Sequence, residues 1–465
     1  MLRKNYIYIL LTCYLLINSV ALSEKIQKHS AFMGRHFAVS FMQNEIDRSA
    51  IIETSYLSIF ISSTQVDTVI VSIPLKGSDT IYINPLEIRE ITIDNDLEVR
   101  EVGVHRNKLI DITSKHPITC WLYSSKNQSS DSYVAFPVNR WGKEYRIVSM
   151  PNDVYDGNKR QIADNAVDSN GVIIDNVKYT ENLTPRPGEF LVMANFDSTL
   201  VTYIPTANTA NGVVRGETGK VWLNKGEVFL CQAMAGKRGS EDLTGSYISS
   251  NHPIGVLSGH VRSAVVQGLD LPYDTKDHLV EMLPSTNFWG RNFISIPFIN
   301  GQNTSQILCA SGDLIKVITR DSNTTLRYFT HEKEGEFKEN TKVLDKAGTC
   351  FELEANKPIY WQADKPILVT QMMMHKGIIN DTIQESLYYD PALVVVPPME
   401  QFIETVTFAT PRNSKLFDQY RAHCVIVISD SMGINNMYLD NFELNRNNTA
   451  VWNKRIGASN YYWLM

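Results

Sequence analysis

Three copies of one short phrase constrain this chain more than anything in its composition: Ile112-Thr113-Ser114-Lys115-His116-Pro117-Ile118, Ile248-Ser249-Ser250-Asn251-His252-Pro253-Ile254 and Trp361-Gln362-Ala363-Asp364-Lys365-Pro366-Ile367. Each joins one β-rich run to the next through a basic or imidazole residue and a proline, so the chain reads as a repeated all-β unit. A proline cannot donate to a sheet ladder and pushes the residue before it toward extended geometry, which places the phrase at a turn or a strand start. Lysine fills the histidine slot in the third copy and cannot stand in for imidazole, so the two histidines read as turn residues rather than pH sensors.

The unit extends beyond the phrase. A strand pair opens it at Leu57 to Pro74, Phe190 to Pro205 and Ile307 to Arg320, with a fourth opening at Cys424 to Asp440. A strand ending in proline closes it at Trp141 to Pro151 and Trp289 to Pro297, and again, without the Trp-Gly, at Phe402 to Pro411. Openings recur every 115 to 135 residues or so, about the size of a small β-sandwich domain. The expected fold is all-β, with tandem β-sandwich-like repeats: three full units at 24–152, 188–300 and 301–412, and a partial fourth at 413–465. Residues 153–187 are polar and read as a linker or long loop. The last segment either opens a fourth unit in a longer protein or supplies strands that complete the third.

Residues 1–23 have the form of a secretory signal. Arg3 and Lys4 precede an apolar stretch from Tyr6 to about Ala21, and Ala21-Leu22-Ser23 offers small residues for cleavage. The stretch is slightly short for a membrane span, so secretion is expected rather than anchorage. Removing it moves the formal net charge from −6 to −8. A mildly acidic surface argues against nucleic acid, which needs concentrated basic surface to neutralise phosphates.

Cysteine usage fits the same compartment. Cys13 lies in the signal, leaving Cys120, Cys231, Cys309, Cys350 and Cys424, an odd number without the CxxC pairs of zinc or redox sites. Cys309 and Cys350 form the candidate disulfide, with buried free thiols as the alternative. The odd thiol leaves an intermolecular link open. Acceptor triplets for N-linked sugar stand at Asn127, Asn182, Asn303, Asn323, Asn380 and Asn447.

Catalytic and metal-binding patterns are sparse. Ser258 stands near His260, but outside the G-x-S-x-G elbow that exposes a nucleophile. Asp277, Leu279 and Glu281 face one side of a strand and His278 the other, which disfavours a shared metal. The oxygen-rich stretches Asp321-Ser322-Asn323 and Asp153 to Asn158 fit turns, which favour the same residues, better than a calcium loop. Met372-Met373-Met374-His375 reads as a buried strand. No pattern calls for a cofactor.

The second unit carries a resemblance. Asp242-Leu243-Thr244-Gly245, then Ser250 to His260 with His252-Pro253 at its centre, then Asp277-His278-Leu279-Val280-Glu281-Met282-Leu283-Pro284 and Trp289-Gly290, resembles the amino-terminal domain of the IgGFc-binding protein family. Gly34 to Phe41 looks like that family's opening segment, and Cys424 to Ser429 resembles its terminal portion, so the likeness covers nearly the whole mature chain. It implies a secreted, non-enzymatic extracellular protein, associated in the best-known members with mucus and with cysteine-dense von Willebrand type D domains, which this sequence lacks. A family cysteine before the Asp-His-Leu segment is replaced by Lys276, so a disulfide there is not expected.

The leading expectation is a binding or structural module that presents loops on a rigid β scaffold to an extracellular protein or glycan, a mucus glycoprotein among them. The alternative is a secreted glycan-processing hydrolase with Asp277 and Glu281 as its paired carboxylates.

Overall fold

The computed structural model describes residues 31–45, 56–126, 129–155, 184–265, 276–298, 312–333, 336–374, 376–377, 388–389, 391–403, 406, 425–439, 442–444, 456 and 459–464. Within them the chain is all-β, and its only helical elements are short 3₁₀ turns. The first unit runs β1 (Met33–Val39), β2 (Tyr56–Ser63), β3 (Asp67–Ile73), β4 (Gly77–Ile83), β5 (Ile88–Ile93), β6 (Gly103–His105), β7 (Ile110–Lys126) and β8 (Ser129–Val134). Next come β9 (Gly142–Arg146), β10 (Asp153–Tyr155), β11 (Thr184–Arg186), β12 (Gly188–Ala194), β13 (Thr199–Ile204), β14 (Gly219–Leu223), β15 (Val228–Gln232), β16 (Tyr247–Ser263) and β17 (Asp277–Met282). The third run is β18 (Gly290–Ser295), β19 (Asp313–Thr319), β20 (Thr324–Lys333), β21 (Glu336–Leu344), β22 (Cys350–Ala355), β23 (Ile359–Met373), β24 (Lys376–Gly377), β25 (Tyr388–Tyr389) and β26 (Ala392–Val395). Four short strands follow: β27 (Val427–Asp430), β28 (Tyr438–Leu439), β29 (Phe442–Glu443) and β30 (Tyr461–Leu464).

Each large sheet is organised by one long strand: β7, β16 or β23, of 17, 17 and 15 residues. The first half of that strand pairs with an edge strand (β1, β9, β18) on one side and a hairpin strand (β3, β13, β20) on the other. Its second half pairs with β2, β12 or β19 and with β8, β17 or β26. All these pairings are antiparallel.

The repeated phrase sits at this handover, inside the strand, and not at the turn that its proline suggests. Residues 115–117, 251–253 and 364–366 take no ladder partner on either side, and pairing with the edge strand shifts register at the same place. The proline thus occupies a bulge, where a missing N–H breaks no hydrogen bond and the extra residues bend the strand from one layer into the next. Side chains satisfy the exposed backbone. Asp67 accepts the amides of Lys115 (3.2 Å) and His116 (2.8 Å), while Ser114 and Ser250 donate to the carbonyls of His116 (2.7 Å) and His252 (2.6 Å).

The Trp-Gly strands, expected to close a unit, instead hydrogen-bond into the sheet that follows: β9 joins β16 and β18 joins β23. Gly34-Arg35-His36-Phe37 is therefore the first copy of the same strand. All three glycines are held by one rule. A Cβ at Gly34 would come within 2.2 Å of Pro137, at Gly142 within 2.2 Å of Ser285 and at Gly290 within 2.3 Å of Pro398. Those three neighbours cap the 3₁₀ turns Val138–Arg140, Thr286–Phe288 and Met399–Gln401. Each opening strand is thereby wedged against the turn that leads into the next.

Hydrophobic cores cross from unit to unit. Leu191, Met193, Leu230, Leu257, Val280 and Met282 of the second sheet are buried together with Phe37, Ile59, Ile112 and Leu122 of the first. Leu314, Ile318, Leu368, Met372 and Leu393 of the third sheet likewise complete the core around Phe190, Val192, Val201 and Val256. At roughly 1.5–3 kcal/mol for each fully buried side chain, five or six such side chains amount to about 10 kcal/mol of gross stabilisation per joint, an upper estimate. Strand β6, from the first run, adds to the edge of the second sheet by pairing with β15. The tandem units are thus interlocked layers.

Of the segment expected as a linker, β10 and β11 pair with one another, and residues 156–183 lie outside the described residues. Beyond the third sheet, β27 pairs with β30 and β28 with β29, and Trp463 packs with Ile294, Ile296 and Ile456.

Candidate functional site

A groove of about 610 Å3 opens where the first two sheets meet. The bulge prolines Pro117 and Pro253 both line it, with Met33, Gly34, Arg35 and His36 of β1, Val138, Asn139 and Arg140 of the 3₁₀ turn, Trp141, and Phe196. Trp141 is 6% exposed and donates its indole N–H to Phe136 O (3.3 Å). It lies against Gly255, where a Cβ would fall 2.7 Å from the ring. Phe196 stacks on His252 at 5.4 Å between centroids, so the imidazole of the second phrase buttresses the wall. His36 is half-buried and bonded to Asp111 (2.6 Å). The Arg140 guanidinium sits 5.5 Å over the Phe288 ring, and Arg35 is exposed. The result is an apolar bed with guanidinium groups on it.

The other motif residues from the sequence build joints around this site. Lys316, almost fully buried, donates to Ser149 O (2.8 Å), Thr244 Oγ1 (3.2 Å) and Asp242 Oδ2 (3.3 Å), and pairs with Glu352 (3.0 Å). Burial pulls its pKa down, but Asp242 and Glu352 together raise it above the usual lysine value. Leu243 is buried beside them. Gly245, at φ +90°, abuts the Gly348 carbonyl so closely that a Cβ would fall 2.6 Å from it. The Asp-Leu-Thr-Gly motif is accordingly the clamp between the second and third sheets.

Asp277 and His278 join the first sheet to the second. Asp277 accepts the Ser130 amide, the His278 amide approaches Ser129 Oγ (3.1 Å), and the His278 ring bonds His260 O (2.9 Å). Burial pushes both His260 and His278 down to about 4, keeping them neutral. Ser258 donates to Val148 O (2.6 Å), while His260 accepts the Arg262 amide on Nδ1 (3.0 Å) and bonds Pro151 O through Nε2 (3.0 Å). Both imidazole nitrogens are occupied, so the two residues form no nucleophile–base pair. Lys276 pairs with Asp153 (2.7 Å).

Asp131 was invisible in the sequence reading. Its carboxylate accepts the Val280 amide (2.9 Å) and an amide from Leu393, linking the closing strands of all three sheets. Burial pushes it up to about 8 and pushes the neighbouring Glu281 well above its usual range. Nothing in the local sequence marks Asp131, because its partners lie some 150 and 260 residues further along.

Trp289 repeats Trp141, donating to Pro284 O (3.1 Å), and Gly290 makes the third wedge. Asn323 stands exposed at φ +52° in a turn. Asn127, Asn182, Asn303, Asn380 and Asn447 lie outside the described residues, as do Cys309 and Cys424. Cys120, Cys231 and Cys350 are free thiols. Among the described residues there is no cluster of three or more metal-ligating side chains, and no helix is long and apolar enough to cross a membrane.

Comparison with known proteins gives two concordant findings. The family model described as IgGFc binding protein matches residues 131–464, well over half of the chain. The human IgGFc-binding protein is 23% identical over 372 residues, covering 79% of this chain and 6% of the human protein. The chain thus spans a small part of that relative's length. The matched range runs from Asp131 to Leu464 at the end of β30, and this chain belongs to the IgGFc-binding protein family.

Proposed function

We propose that this chain is a secreted, non-enzymatic binding protein that holds an extracellular protein or glycan partner in the groove between its first two sheets. The observation that carries this reading is the groove itself: an apolar bed built from the bulge prolines Pro117 and Pro253 and from Trp141, with its walls fixed by packing. The basic, apolar and small-residue pattern of residues 1–23 supports secretion. The name of the human relative states binding to IgG Fc, which makes an Fc fragment the first ligand to try; a mucus glycoprotein is the second. The hydrolase alternative finds less support. Asp277 and Glu281 lie four residues apart on one strand, about 13 Å between Cα atoms at ~3.3 Å per residue. Paired glycosidase carboxylates need roughly 5–9.5 Å and a shared cleft.

The test is biolayer interferometry of the mature chain against an Fc fragment and a purified mucus glycoprotein, repeated with Phe196→Asp and Asn139→Trp. Both residues are exposed, so the fold should survive. Saturable binding of one ligand, weakened by about tenfold or more in both variants, is the expected result. Binding that both variants leave intact would remove the groove from the account.

A further inference from the structure

The chemistry of the groove wall narrows the ligand class, on the assumption that the groove is the binding site. Its lining holds two guanidinium groups, Arg35 and Arg140, and no carboxylate. The carboxylates close by in sequence lie outside the lining: Asp111 holds His36, Asp197 accepts the Lys225 amide (3.0 Å), and Glu144 hydrogen-bonds Tyr247. Arg35 is exposed and forms no ion pair among the described residues. Arg140 is held over Phe288, which leaves it pre-positioned at the end of its turn. The lining itself is therefore basic, two guanidinium groups and no carboxylate, on a molecule whose formal net charge is −6.

Hydrogen-bonding capacity decides between a sugar and a peptide. A glycan site needs several side chains that donate and accept in fixed directions. Here the polar side chains are Arg35, His36, Asn139 and Arg140, with the imidazole already committed to Asp111. The rest of the wall is Met33, Pro117, Val138, Trp141, Phe196 and Pro253, with Gly34 supplying no side chain. Proline and tryptophan faces suit an aromatic or aliphatic side chain, and arginines suit carboxylates flanking it.

We infer that the groove takes an acidic peptide segment of a partner protein, one apolar side chain seated on the Pro117–Trp141–Pro253 bed and flanking carboxylates paired with Arg35 and Arg140. Two charge pairs at a half-open rim give selectivity and salt dependence more than raw affinity.

The probe is a fluorescein-labelled heptapeptide, Glu-Asp-Pro-Phe-Pro-Asp-Glu, titrated by fluorescence anisotropy beside its basic counterpart Lys-Arg-Pro-Phe-Pro-Arg-Lys. The expected result is saturable binding of the acidic peptide, about tenfold tighter than the basic one and weakening as salt rises from about 0.05 M to about 0.5 M. Arg35→Glu, at an exposed position, should lose about fivefold or more of that affinity, and Arg35→Lys should keep most of it. The inference is overturned if the two peptides bind alike, if the acidic peptide does not bind, or if Arg35→Glu leaves its affinity unchanged. An Fc fragment or glycoprotein that still needs Phe196 and Asn139 in the face of such a result would leave the groove reading standing and remove only the acidic-peptide chemistry.

Discussion

Ser285 leaves room for no more than a hydrogen atom at Gly142: a Cβ there would lie 2.2 Å from the serine Oγ and 2.4 Å from its Cβ. The neighbour is a side chain and not backbone, so the strain has a remedy. Gly142→Ala should destabilise by about 1–3 kcal/mol, the usual cost of overpacking. Ser285→Gly in the same molecule should restore most of the loss. Urea unfolding of the two single variants and the double variant reads the coupling directly, and additive effects would contradict the wedge. At this scale the sequence was half legible. Trp141-Gly142 and Trp289-Gly290 stood out as a repeated pair, but their wedging partners Ser285 and Pro398 lie more than 100 residues away and carry no local signal. Lys316 was hidden for the same reason, since Asp242 and Ser149 reach it from a different sheet.

At the scale of the element, the closing strands β8, β17 and β26 converge on two half-buried acids. Asp131 has a folded value of about 8, against an unfolded value near 4. The fold prefers its protonated form, so this contribution to stability is fully present below about pH 4 and is lost as pH rises through about 8. Glu281 acts in the same direction. His260 and His278 act oppositely, because values lowered to about 4 make their contribution present above the ordinary ~6.5 and lost as pH falls. Between about pH 6.5 and 8 the acids alone change. Thermal midpoints should therefore fall across that window, and Asp131→Asn, which can still accept the Val280 amide, should flatten the fall. An unaltered slope in the variant, or a midpoint rising toward pH 8, would contradict the assignment.

The long strands show where element-level reading stops. Their β character was plain, but the His-Pro step, expected at a turn or strand start, lies inside β7 and β16. Whether a proline ends a strand or bulges it depends on what pairs on either side, and the edge strands β1, β9 and β18 supply that from elsewhere in the chain.

The whole molecule follows from repeats that do not stand alone. Spacing in the sequence announced all-β tandem units. It could not announce that Leu191, Met193 and Leu257 would serve the core of the unit before them, because alternation along a strand gives two faces without saying what each will meet. Shared cores fix the first two sheets against each other, and a groove between fixed layers is pre-organised, so a partner need not pay to order it. The groove residues Arg35, Asn139, Arg140 and Phe196 were unreadable in advance because they meet only once the layers stack. The most direct measurement places a photoreactive benzophenone side chain at Lys115, exposed beside the lining residue Pro117, or at Val343, exposed on β21 of the third sheet, and maps cross-links to the bound partner by mass spectrometry. The account predicts a cross-link from position 115 and none from position 343. Equal labelling from both positions, or labelling from 343 alone, would contradict it.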